Sequence, residues 1–163
     1  MTYKNTDIYK YFKKSKYLSS KHKNYFQIYE SLFLKYRNRK ITMVEIGILS
    51  GGSLFMWRKF FGKKANIIGI EYNPKAKEFE KYGFKIEIGD QSDDQFWKNF
   101  FMKYGKVDII IDDGGHTNFQ QIKTTVNCIP FIKDNGMLVV EDVHTSYMKK
   151  RFNNPSKNSF INF

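Results

Sequence analysis

The sequence predicts an α/β fold: a doubly wound, Rossmann-like and mostly parallel sheet in the strand order 3-2-1-4-5. Two observations predict it. Short apolar runs alternate along the chain with amphipathic helical segments, the pattern of a parallel sheet covered on both faces. Runs such as Asn66-Ile-Ile-Gly-Ile and Val107-Asp-Ile-Ile-Ile are nearly continuous, as strands buried on both sides require. Right-handed crossovers then restrict the topology to the doubly wound arrangement.

The elements follow in order. Residues 1–23 form a basic, aromatic arm without a clear period, read as mobile or loosely docked. Phe26, Tyr29, Phe33 and Tyr36 recur at helical spacing and predict a helix over 24–37. Ile41–Gly47 reads as a strand, and Leu54–Phe61 as a helix stopped by Gly62. Asn66–Glu71 is the second strand. Asn73 caps a helix that has Pro74 at its first position and Gly83 at its end. Phe84–Ile88 is the third strand. Ser92 and Gln95 have capping-box spacing ahead of Phe96, Trp97 and Phe100. Val107–Asp112 is the fourth strand. Thr117 and Gln120 suggest another capping box, and Phe119, Ile122, Val126 and Ile129 give that helix one apolar face. Met137–Glu141 is the fifth strand. The core domain thus covers residues 24–147, and 148–163 is a basic, polar tail. There is no repeat, linker or second domain.

Composition narrows the class. The chain has 163 residues, 41% hydrophobic and 18% aromatic, which supports one buried core and excludes a disordered chain. No apolar run approaches the ~20 residues of a membrane span. The first residues lack the apolar stretch of a signal peptide, so a cytoplasmic location is expected. The single cysteine, Cys128, excludes an intrachain disulfide and a thiolate metal site, and reads as a packing residue. The formal charge of +12 gathers near the ends, at Lys10, Lys13, Lys14, Lys16, Lys21 and Lys23 and at Lys149, Lys150, Arg151 and Lys157. A solvated lysine surface is the favoured reading over a nucleic-acid surface, because charge alone speaks to solubility and nonspecific binding.

Ligands of such sheets bind beyond the carboxyl ends of the strands, so the residues there carry the chemistry. After the first strand comes Glu45-Ile-Gly-Ile-Leu-Ser-Gly-Gly-Ser53, in which Gly47, Gly51 and Gly52 permit a tight turn close to a ligand. Glu45 would repel a pyrophosphate and suits a ligand bearing ammonium and sulfonium charges. Glu71, ending the second strand, is placed to accept hydrogen bonds from ribose hydroxyls. Asp90, Gln91 or Ser92 could hold an adenine amino group, with capping the favoured role for Ser92. The fourth strand delivers Asp112-Asp113-Gly-Gly-His116 and the fifth Glu141-Asp142-Val-His144. On neighbouring strands, Asp113 and Asp142 would lie side by side and repel unless a proton or cation sits between them. A hard divalent ion takes oxygen ligands of this kind, with Glu141 a candidate third. His116 suits a general base, and His144 competes as a base or ligand. His22 reads as surface, and Trp57 and Trp97 as core.

These segments, Val44-Glu-Ile-Gly-Ile-Leu-Ser-Gly-Gly-Ser, Ile70-Glu-Tyr-Asn-Pro, Gly89-Asp-Gln-Ser, Ile111-Asp-Asp-Gly-Gly-His and Val140-Glu-Asp-Val-His-Thr-Ser-Tyr, resemble the motifs of class I S-adenosylmethionine-dependent methyltransferases. The likeness is nearest to metal-dependent sugar O-methyltransferases of the macrocin and mycinamicin type. Related domains methylate capsular or cell-surface carbohydrates, some of them on a phosphoramidate group. The resemblance covers about residues 24–147. It implies that Glu45, Gly47, Gly51, Ser53, Glu71 and Asp112 hold S-adenosylmethionine, with Asp90, Gln91 and Ser92 near the adenine. It implies Mg²⁺ or a similar ion on Asp113, Asp142 and Glu141, and His116 as the base that deprotonates a carbohydrate hydroxyl. The family continues past its fifth strand with a helix and two more strands, so here a sheet cut to five is expected.

Three other readings stay open. RNA could be the substrate, although the fourth strand lacks the Asn/Asp-Pro-Pro-Tyr motif of base amino-methylating enzymes. The chain could be a cofactor-binding remnant without activity. A nicotinamide dehydrogenase is disfavoured because the G-x-G-x-x-G fingerprint is missing. A homo-oligomer is neither required nor excluded.

Overall fold

The structure, a computed structural model, describes residues 2–148 and 159–163. Lys149, Lys150, Arg151 and Lys157 of the basic tail lie outside the described residues. Five strands, β1 (Thr42–Ile46), β2 (Asn66–Glu71), β3 (Lys85–Ile88), β4 (Val107–Asp112) and β5 (Ile132–Val140), run parallel in the order β3-β2-β1-β4-β5. The expected order is the observed one. Five α-helices flank the sheet: α1 (Asp7–Lys13), α2 (Tyr25–Phe33), α3 (Gly52–Phe61), α4 (Asp94–Tyr104) and α5 (Asn118–Cys128). The segment Pro74–Tyr82 is a 3-10 helix capped by Asn73, whose side chain accepts from the Lys75 N–H.

Strand side chains alternate between the two layers. Met43, Ile67, Ile86, Ile109 and Ile111 pack with Ile8 of α1, with Phe26, Tyr29 and Phe33 of α2, and with Trp57, Phe60 and Phe61 of α3. Val44, Ile46, Ile68, Ile70 and Ile110 face the other way, onto Trp97, Phe100 and Phe101 of α4 and Cys128 of α5. Each fully buried side chain of this size contributes roughly 1.5–3 kcal/mol, so the two layers supply most of the cohesion. This parity decides which acids reach the ligand edge. Glu45 shares the face of Met43 and points into the α2–α3 layer, whereas Asp112 shares the face of Ile110 and points into the α4–α5 layer.

Three expectations are corrected. The segment read as a loosely docked arm is packed. Thr6 caps α1 by accepting from Tyr9 N–H, Ile8 is wholly buried, and Tyr17 stacks on Phe55 at 4.9 Å between ring centroids. A Cβ on Gly52 would run into the carbonyl of Tyr17, so only glycine lets the arm lie against the start of α3. The cap of α4 is Asp93, which accepts from Gln95 N–H at 2.8 Å, while the Ser92 hydroxyl donates to Asp90 instead. In α5 the expected apolar face is turned out. Phe119, Val126 and Ile129 are exposed, and the buried face is Asn118, Gln121, Thr124 and Cys128. The reason is what lies beneath: Gln121 donates to the Glu141 carbonyl and Thr124 receives a bond from Gln91. The Thr117–Gln120 capping box does form.

Candidate active site

The strand ends are level with one another. Gly47 N–H donates to Ile70 O, Gly89 N–H to Glu71 O, Asp113 N–H to Ile46 O and Glu141 N–H to Asp112 O, at 2.8–3.1 Å. Beyond them opens a cavity of about 780 Å³, within the ~300–1,000 Å³ of small-molecule sites. Its wall includes Gly47, Ser53, Glu71, Asp90, Gln91, Asp113, His116 and Asp142, together with Ser19 and Ser20 of the N-terminal segment. Gly47 has φ +79°, and a Cβ there would strike the Asp113 carbonyl, so β1 can turn under the cavity only through a glycine. Three non-glycine residues of the wall, Leu49, His116 and Asp142, also hold left-handed backbone, with φ of +47°, +59° and +54°. Such strain persists only where surrounding bonds over-determine it, and it concentrates at functional sites. Here Thr145 Oγ1 donates to His116 O at 2.7 Å, and Asp142 N–H donates to Tyr25 Oη at 3.1 Å.

The adenosine-side candidates differ in their surroundings. Glu71 stands at the cavity edge. Its Oε2 accepts from Leu49 N–H at 3.0 Å and its Oε1 from Tyr72 N–H at 2.9 Å. These bonds aim the carboxylate and leave lone pairs to spare. Asp90 also lines the cavity, with its Oδ1 taken by Ser92. Gln91 reaches the wall but spends its amide inside the protein. Its Nε2 donates to Asp112 and Thr124, and its Oε1 accepts from Gly115 N–H at 2.8 Å. Asp112 is wholly buried behind it, and burial pushes its pKa up against the bonds from Gly114 and Gln91. Gly51, Ser92 and Asp112 stand behind the wall, holding its shape.

The acidic candidates divide into two groups. Asp113, His116 and Asp142 converge on the cavity, each partly exposed, with His116 Nε2 3.7 Å from both Asp113 Oδ1 and Asp142 Oδ2. Burial lowers the His116 pKa below its ordinary 6.5 despite the opposing charge of Asp142, so the ring is neutral at neutral pH. Glu45 and Glu141, expected beside the ligands, lie deeper instead. Both are buried, and both are paired with Lys21, a residue the sequence placed among the solvated lysines. The Lys21 side chain is fully buried. Its Nζ sits 2.6 Å from Asp113 Oδ2, 2.6 Å from Glu141 Oε1 and 3.2 Å from Glu45 Oε1. Ser53 donates to Glu45 Oε2 at 2.7 Å, and Tyr29 donates to Glu141. Burial alone would push the ammonium down, but the carboxylates of Glu141, Glu45 and Asp113 outweigh it and hold its pKa well above the ordinary value. Burial raises Asp113 and Glu141 in turn, with neighbouring carboxylates adding to the rise and Lys21 opposing it. With every carboxylate ionised, the three acids and the ammonium carry a formal charge of −2, and −3 with Asp142 nearby. That surplus fits a hard cation on the cavity side of Asp113 and Asp142.

His22 is exposed, as expected, yet its Nε2 lies 3.7 Å from Asp142 Oδ1 and its ring packs on His144. Sequence reasoning missed Lys21, Ser19, Ser20, Tyr25 and Tyr29. All come from the N-terminal segment and α2, where no motif marks them.

Fold and site define a doubly wound α/β protein whose ligand cavity opens at the carboxyl ends of its strands and is walled by acids. Within that class the chain belongs to the methyltransferase domain family, whose model matches residues 44–143. It is 32% identical over 126 residues to mycinamicin VI 2''-O-methyltransferase of Micromonospora griseorubida, over 73% of this chain and 31% of that protein. It is 34% identical over 127 residues to demethylmacrocin O-methyltransferase of Streptomyces fradiae, over 73% and 31%. The MycE methyltransferase of the mycinamycin biosynthetic pathway, solved in complex with Mg, SAH and mycinamycin VI, superposes with a TM-score of 0.80 at 26% identity. That match covers 96% of this chain and 42% of that one. The chain therefore spans about a third of the length of these curated relatives.

Proposed function

We propose that this chain is the S-adenosylmethionine-binding core of an O-methyltransferase that modifies a sugar hydroxyl. One observation carries the reading: the cavity reverses the charge of the molecule. The chain is formally +12, yet Glu71, Asp90, Asp113 and Asp142 line the cavity, and no lysine or arginine is among its described lining residues. A phosphate-bearing cofactor or an RNA backbone meets repulsion there. A nucleoside carrying ammonium and sulfonium groups is attracted. The names of the relatives, O-methyltransferases that include one acting on 8-demethyl-8-alpha-L-rhamnosyl tetracenomycin-C, support a sugar hydroxyl as acceptor. A capsular or cell-surface carbohydrate is the finer reading. Among the described residues, no helix is long and apolar enough to cross a membrane.

In this mechanism Glu71 binds the ribose hydroxyls, Gly47 lets the backbone approach the cofactor, and Asp90 borders the adenine. His116, neutral and aimed into the cavity, takes the proton of the acceptor hydroxyl on Nε2. The oxygen attacks the sulfonium methyl carbon in line, and the carbon–sulfur bond breaks to leave a neutral thioether. Asp113 and Asp142 would hold a divalent ion. Bound there, it would supply Lewis-acid stabilisation to the acceptor oxygen. Holding both reactants in line supplies much of the remaining acceleration.

The test is methyl transfer from radiolabelled S-adenosylmethionine to a panel of deoxysugar-bearing macrolides, capsular oligosaccharides and RNA, with and without Mg²⁺. Label on a sugar acceptor supports the reading. Label confined to RNA replaces it with the RNA reading, and cofactor binding without transfer to any acceptor favours a binding remnant.

A further inference from the structure

The two ends of the sheet carry opposite charge. Acids rim the carboxyl ends, whereas each of the five strands is entered through a lysine or arginine. Arg39 and Lys40 stand before β1, Lys63 and Lys64 before β2, and Lys106 before β4. β3 opens on Lys85, and β5 has Lys133 at its second position. All seven are exposed. The first four share one ledge, because the two turns that carry them are joined: Asn38 N–H donates to Phe61 O at 2.9 Å and Asn66 N–H to Ile41 O at 2.8 Å. Of the acids at this end, Asp108 pairs with Lys133, Glu87 with Lys103 and Asp7 with Arg37, and Asp134 is exposed. Among the described residues, none of Arg39, Lys40, Lys63, Lys64 and Lys106 pairs with an acid. Apolar side chains stand at the same end. Met102, on the last turn of α4, is 78% exposed, and Ile129, ahead of β5, is 58% exposed.

We propose that this amino-end face docks on an anionic lipid surface, with the cavity turned away from it. The cations lie against headgroup phosphates, and Met102 and Ile129 reach the acyl boundary, where burial of apolar surface adds to the electrostatic attraction. A single-stranded RNA backbone meets the same charge, but such RNA is also held by aromatic faces on which its bases stack. Here the most exposed apolar groups are aliphatic, the Tyr104 hydroxyl donates to Glu87, and Phe131 stacks on Phe101 at 4.2 Å between centroids. The inner strands β1, β2 and β4 are five or six residues long. At ~3.3 Å per residue they hold the cavity about 17–20 Å from the lipid. An acceptor therefore reaches the cavity from the aqueous side. Docking at this end does not depend on which reaction the cavity performs.

The probe is a vesicle. The 163-residue chain should sediment with vesicles of two-thirds phosphatidylcholine and one-third phosphatidylglycerol at least tenfold more strongly than with phosphatidylcholine alone, and physiological NaCl should weaken that binding at least threefold relative to low salt. Arg39→Gln/Lys40→Gln/Lys63→Gln/Lys64→Gln should bind the anionic vesicles at least tenfold more weakly than wild type. Lys14→Gln/Lys16→Gln/Lys23→Gln/Lys75→Gln removes the same charge from segments that border the cavity, and should change binding less than threefold. Met102→Gln/Ile129→Ser should lose at least threefold at unchanged net charge. All these positions are exposed, and circular dichroism checks that each variant folds. Equal binding to the two kinds of vesicle, equal losses in the two quadruple variants, or full binding by Met102→Gln/Ile129→Ser overturns the proposal. So does retention by single-stranded RNA without binding to the anionic vesicles.

Discussion

In the proposed mechanism the chemistry turns on His116 and Glu71. His116→Ala should abolish methyl transfer while leaving S-adenosylmethionine affinity within about twofold, since the proposed mechanism gives the ring the acceptor proton and no cofactor contact. Rate and calorimetric affinity measured on one preparation check it. Because burial lowers the His116 pKa in the folded protein, its neutral, proton-accepting form persists below the ordinary 6.5. The acid limb of the pH–rate profile should therefore have its midpoint below pH 6.5, and a midpoint above 7 would count against this base. At this scale, the residues immediately following the strands were legible, because chain order and the parallel sheet together put Glu71, Asp90, Asp113, His116 and Asp142 on one rim. Glu45 was not legible as an interior acid. Its type and its distance from the glycine turn both suited a ligand contact, but the pleat turns it toward α2 and α3. Lys21 was not legible because nothing around it in sequence distinguishes it from its solvated neighbours.

At the scale of elements, the N-terminal segment is part of the site. Ile8 of α1 is wholly buried, and Ile8→Ala should cost ~2–5 kcal/mol, as large-to-small core changes do. Limited proteolysis should then cut earlier in residues 15–24 than in wild type. Equal cutting would mean that the segment does not depend on α1 for its place. The Thr117–Gln120 capping box lies just after His116. Thr117→Ala should cost ~1 kcal/mol, a fall in Tm of about 2–4 °C at this chain length, read by circular dichroism. Periodicity exposed α5 as a helix but gave it the wrong buried face. Its polar residues go inward because Gln121 bonds the Glu141 carbonyl, Thr124 accepts from Gln91, and Asn118 accepts from Phe160 N–H and the Ser146 hydroxyl, a demand that a hydrophobicity pattern does not carry.

Across the whole molecule, strand order, crossover and charge reversal belong together. A parallel sheet in the order β3-β2-β1-β4-β5 brings the ends of β1, β2 and β4 under one cavity. The order was legible because continuous apolar runs and intervening helices leave few other topologies. The docking of the N-terminal segment was not, since it depends on long-range contacts such as Tyr17 on Phe55 and Lys21 on Asp113. In the proposed function this acidic rim binds a positively charged nucleoside. Titration calorimetry of S-adenosylmethionine into the 163-residue chain, beside Glu71→Ala, tests it most directly. The prediction is one saturable site whose affinity falls at least about tenfold in Glu71→Ala, since a hydrogen bond to a charged group is worth ~1.5–3 kcal/mol. Absence of saturable binding, or equal affinity in the two proteins, would contradict it.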